Sequence, residues 1–123
     1  MSFTPENFTV WVEIPVTDID RAITYYNSVF DIDLQKDETG PNPMAIFPTA
    51  NPSGAGGHLY EGKPGTEGNG PTVYLACPDK LEDALSRVKD AGGKVVSEVI
   101  SIPAGRFAYC LDPDGNSVSL FSY

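Results

Sequence analysis

Apolar and polar residues alternate near the start of the chain, where Val10, Val12 and Ile14 interleave with Trp11 and Glu13. A period of two predicts a strand with two unlike faces. At Asp18 the period lengthens. Ile19, Ala22, Ile23, Tyr26 and Phe30 fall on one helical stripe, with Asp20, Arg21 and Asn27 left for solvent and Asp18 placed to cap the helix. Shorter alternations predict further strands at 33–36, 44–47 and 57–61. Residues 62–71, GKPGTEGNGP, have no apolar period and are read as a linker.

After the linker the pattern starts again. Val73, Leu75 and Cys77 alternate with Thr72 and Tyr74; Asp79 can cap a second helix with Glu82 three residues on; Leu81, Ala84, Leu85 and Val88 form its stripe and Gly92 ends it. Strands follow at 94–102, 106–111 and 117–121, the last two joined by a DPDGN hairpin turn. Superposed, the two stretches pair Trp11 with Thr72, Glu13 with Tyr74, Phe47 with Cys110 and His58 with Ser119, at offsets of 61 to 63 residues.

Each copy reads βαβββ, so the expectation is one α+β domain over 1–123, with repeat one at about 8–61 and repeat two at about 72–123. A helix covers one face of each sheet and leaves the other open. The first strand's aliphatics match the helix stripe, which assigns Trp11, Glu13, His58, Tyr60, Thr72, Tyr74, Ser119 and Phe121 to the open face. That mixture of aromatic and polar side chains suits a ligand pocket better than a dry core.

Composition narrows the partners. Seventeen acidic against eight basic residues leave a net charge of -9, which repels nucleic acid and anionic lipid and, read more sharply, concentrates cationic ligands. No run of about eighteen apolar residues offers a membrane span, and MSFTPENF lacks the features of a signal peptide, so a soluble cytoplasmic chain is expected. Cys77 and Cys110 have no CxxC spacing and are read as reduced thiols. The glycine-rich stretches NPSGAGG (51–57) and PGTEGNG (64–70) lack the Lys and Ser/Thr tail of a phosphate loop and are read as turns.

WVEIPVTDIDRAITYY, YLACPDKLEDALSRVKDAGGKVV and LDPDGNSVSLF, in their respective halves, resemble the glyoxalase/bleomycin-resistance/dioxygenase (vicinal oxygen chelate) superfamily, and EIPVTD its glyoxalase-related branch. The resemblance covers nearly the whole chain. It implies a curved mixed sheet around a central cavity, assembled within one chain or across a homodimer. It also implies four metal-ligand positions, which in this sequence are Trp11, His58, Thr72 and Ser119. An indole cannot ligate a divalent ion, and neutral hydroxyls are weak ligands. No metal or other cofactor is therefore expected, although Glu13, Glu61 or Asp112 beside His58 would be the carboxylates of an improvised site.

Two readings stand for each singled-out residue. Glu13, placed in a covered space, is either a general base of raised pKa or a carboxylate held by Arg106 or Tyr74. His58, beside Gly56 and Gly57, is either functional or a satisfied strand histidine. Trp11, Tyr60, Tyr74 and Phe121 either stack on a planar or cationic ligand or fill space, the indole plugging the place of the metal. The preferred function is metal-independent binding of a small organic molecule. The alternative is a lyase or isomerase with Glu13 as base and His58 or a tyrosine stabilising an enolate.

Overall fold

The computed structural model describes residues 2–51 and 54–123; Pro52 and Ser53, in the 51–57 turn expected above, lie outside the described residues. Its first half runs β1 (Trp11–Val16), α1 (Ile19–Phe30), β2 (Met44–Ile46) and β3 (Gly56–Glu61). The second runs β4 (Val73–Ala76), α2 (Leu81–Asp90), β5 (Lys94–Val95), β6 (Ile100–Ile102), β7 (Gly105–Ala108), β8 (Cys110–Leu111) and β9 (Val118–Ser122).

Asp18 caps α1 as expected, its Oδ1 accepting from the N–H groups of Asp20 and Arg21, a device worth about 1 kcal/mol. The buried stripe is wider than the sequence suggested and adds Tyr25 and Val29 to Ile19, Ala22, Tyr26 and Phe30. The second helix departs from expectation at its start. Lys80 stands at its N-cap with no side-chain bond, because the Asp79 carboxylate is taken bidentately by Arg87 and Glu82 is taken by Arg106. Guanidinium partners, charged and forked, outcompete a single backbone N–H for each carboxylate. Gly92 ends the helix region with a left-handed φ of 98°.

Three expected strands differ in outcome. Residues 33–36 form no ladder: the Leu34 N–H donates to the Asn27 side chain and only an isolated bridge follows, from Asp37 to Met44. Leu34 is the single apolar anchor in that stretch. The 94–102 and 106–111 strands each break in the middle, where the Tyr109 N–H donates to Ser97 Oγ, so that β5 pairs β8 while β6 pairs β7.

The pairing pattern of the two halves is alike. β1 lies parallel to β3, whose other side takes β2 antiparallel; β4 lies parallel to β9, whose other side takes β7 antiparallel. Glu13 stands opposite His58 and Tyr74 opposite Ser119, as the superposition at an offset of 61 requires. On the helix side Ile14 faces Leu59 and Leu75 faces Leu120, feeding one core in which α1 and α2 touch. Val10, expected in that core, precedes β1 and is 68% exposed. β1 and β4 are edge strands, each paired on one side only.

A buried joint ties the halves together. Asp112 accepts from Tyr26 Oη on α1, from its own turn at the N–H groups of Asp114 and Asn116, and from Asn116 Nδ2. Burial first, and Asp112 second, push the Tyr26 phenol far above its usual pKa. The same turn reaches back to the end of β1, where Asn116 donates to the Pro15 carbonyl and Thr17 to Asp114. The Gly68 N–H of the linker donates to Gly115.

Candidate functional site

A cavity of about 970 Å³ opens along the edges of β1 and β4, within the range of small-molecule sites. Trp11 and Glu13 line one wall, Thr72 and Tyr74 the other, with Phe47, Thr49, Asn69, Asn116 and Ser117 between them. The turn residues enter because the buried joint holds them beside Pro15, and the linker because Gly68 is fastened to the same turn. No pattern of hydrophobic alternation announces such contributions.

Four expected site residues thus meet around one space, and four do not. His58 is only 7% exposed and lies beneath Trp11, whose indole N–H donates to His58 Nδ1 at 2.9 Å. The rings sit 5.7 Å apart, and Tyr60 meets the imidazole edge-on at 6.0 Å. Ser119 is fully buried and its hydroxyl donates to the Ala108 carbonyl at 2.6 Å, so it faces no ligand. Phe121 stacks on Phe107 at 6.0 Å rather than bordering the cavity.

Glu13 corrects a premise. Its side chain is 62% exposed and so does not stand in the covered space expected of it. Neither Arg106 nor Tyr74 holds it: Arg106 pairs with Glu82, and Tyr74 donates to the Tyr109 hydroxyl at 3.3 Å. The neighbour of Glu13 is His58, with Nε2 3.3 Å from Oε1 but off the line of a hydrogen bond.

An aromatic patch extends the second wall. Tyr74, Phe107, Tyr109 and Phe121 meet at ring separations of 5.3 to 6.3 Å, and Tyr123 joins through Phe121. Phe107, Tyr109 and Tyr123 were not singled out from the sequence, although the alternation of 106–111 against Phe121 carried the signal. The thiols stand apart from this chemistry. Both are free, and burial pushes Cys110 up to about 11.

The four positions that the family resemblance marks for metal do not fit a divalent ion. The Trp11 indole is a donor only, Thr72 Oγ1 is paired with Ser117 Oγ at 2.7 Å, and Ser119 is turned inward. The improvised set is scattered: Glu61 Oε2 accepts from the Ile19 N–H at the start of α1, and Asp112 is engaged in the joint. Among the described residues no three His, Cys, Asp or Glu side chains gather as a metal would need.

Comparison with known proteins places this geometry. The chain superposes on a glyoxalase/bleomycin resistance protein from Albidiferax ferrireducens with a TM-score of 0.72 at 20% identity, covering 95% of this chain and 99% of that one. Glyoxalase I from Zea mays gives 0.66 at 23% identity over 91% of this chain and 44% of that one. The fosfomycin resistance protein FosX from Listeria monocytogenes gives 0.66 at 14% identity, covering 98% and 95%. No curated protein matches by sequence. The sequence profile of the Glyoxalase/Bleomycin resistance protein/Dioxygenase superfamily matches residues 9–120, and the chain belongs to that superfamily.

Proposed function

We propose that this chain is a metal-independent binding protein for a small organic molecule, held in the cavity between β1 and β4. The observation that carries the reading is the convergence of Trp11, Glu13, Thr72 and Tyr74 on one space from both halves. Indole and phenol faces offer stacking, and the Glu13 carboxylate favours a ligand with a positive group, as does the net charge of -9. The relatives' names, which include fosfomycin resistance, accord with a scaffold that receives small molecules.

The working unit is a homodimer in this proposal. At the far side of each sheet β2 and β6 leave one edge unpaired, and Ile46 and Ile102 on them stay 51 and 43% exposed, surface away from the cavity that a second copy would cover. Among the described residues no helix is long and apolar enough to cross a membrane.

Native mass spectrometry of untreated protein tests both parts by reporting bound mass and subunit number. A bound organic species lost in Trp11→Ala supports binding. Stoichiometric metal that disappears with His58→Ala sinks the metal-free reading. A second reading keeps Glu13 as the base of a lyase or isomerase, favoured by its exposure within the cavity beside the imidazole. Turnover abolished by Glu13→Gln with ligand binding intact would decide for it.

A further inference from the structure

The misfit to metal is sharper than a missing ligand. His58 is the single histidine of the chain, and its Nε2 lies 3.3 Å from Glu13 Oε1. Two atoms bound to one ion at about 2.1 Å each sit about 3.4 Å apart in a tetrahedral shell, so the bite of this pair is of the right size. What opposes an ion is the placement of a proton. Trp11 Nε1 can only donate, and it points at Nδ1, which must therefore present its lone pair. The proton of the neutral ring then stands on Nε2, at the atom that would have to bind. That Nε2 is buried and has no in-line partner.

We propose that Trp11 is a tautomer lock that closes this site to a metal ion: by donating to His58 Nδ1 it holds the imidazole with its proton on Nε2 beside Glu13. An ion at Nε2 would require the proton to leave or to cross to Nδ1. In the second case two N–H groups would face each other across the 2.9 Å that now forms a hydrogen bond. The same lock keeps the Nε2 proton buried beside Glu13, where His58 does not line the cavity. This inference rests on the metal-independent reading above and adds the residue responsible.

The sole histidine makes the test clean. Nitrogen NMR of the full chain should show Nδ1 unprotonated and Nε2 protonated in the wild type, and a mixture of tautomers in Trp11→Phe, which keeps a ring and removes the donor. In titrations of chelator-treated protein with zinc, Trp11→His should bind one equivalent at least about tenfold more tightly than wild type, and Trp11→His combined with Glu13→Gln should lose that gain. A wild-type proton on Nδ1, an unchanged tautomer in Trp11→Phe, or zinc binding by folded Trp11→His no tighter than wild type would each overturn the lock. Should Trp11→His fail to fold, the tautomer of Trp11→Phe decides alone. A cavity ligand found in protein with an Nδ1 proton would end the lock and spare the binding role; an intact lock with no ligand would do the reverse.

Discussion

Glu13 faces His58 across β1 and β3, while Tyr74 faces Ser119 at the matching place across β4 and β9. In the first half these positions form a polar chain from indole to imidazole to carboxylate. In the second the serine turns inward to a carbonyl and the tyrosine leans on a cluster of rings. On the helix side, by contrast, both halves set aliphatic against aliphatic, Ile14 to Leu59 and Leu75 to Leu120. Packing under the helices restricts that side in the same way twice, whereas the open face carries what distinguishes one half from the other.

The largest effect is expected where the halves are joined. Asp112→Ala leaves the Tyr26 hydroxyl and the turn N–H groups without their buried acceptor, and unfolding in urea should show a loss of about 3 kcal/mol. A loss below about 1 kcal/mol would mean that packing of α1 on α2 holds the halves without the joint.

The matched pair tests the contrast itself. His58→Ala empties a buried ring site and should cost about 2 kcal/mol, and it should alter the fluorescence of the single tryptophan. Ser119→Ala removes the stronger of two side-chain donors to the Ala108 carbonyl, leaving the Cys110 thiol at 3.8 Å, and should cost about 1 kcal/mol or less, with the emission unchanged. Equal costs together with equal emission would erase the difference between the halves.

The smallest effect belongs to an ion pair that ties β7 to α2. The Arg106 guanidinium, chiefly by direct hydrogen bonding, holds the Glu82 carboxyl down at about 2 against the usual 4.5. Its folded pKa lies below the unfolded one, so the contribution is complete above about pH 4.5 and is lost as pH falls toward 2. Both side chains are exposed and screened. Glu82→Gln should lower the urea midpoint slightly at pH 7 and not at pH 2; a constant difference across that window would show that the pair contributes nothing.

Alternation assigned a side of the sheet to each residue. The cavity is bordered by Trp11, Glu13, Thr72 and Tyr74 of that face and also by Val12, Ile14, Val73 and Leu75 of the other, because it runs along the strand edges. The pattern carried no information on lateral position. The four open-face residues that border the cavity lie on or just before the edge strands β1 and β4, whereas His58, Tyr60, Ser119 and Phe121 lie on β3 and β9, flanked on both sides. Strand order is a non-local property, so depth within the open face was not legible. Caps and turns were legible where one local partner dominates, as at Asp18, and not where a distant arginine competes, as at Asp79.

The turn at 112–116 has a consequence in time as well as in space. Its bonds to Pro15, Thr17 and Tyr26 span 101, 97 and 86 residues, close to the full length of the chain. During synthesis the first strand and helix leave the ribosome long before these partners exist. Contacts of such separation form late and slow the search for the native state. Until residues 112–116 emerge, the Pro15 carbonyl and the Tyr26 hydroxyl have no native partner there, and the nascent first half waits on a segment that lies 86 to 101 residues further along the chain.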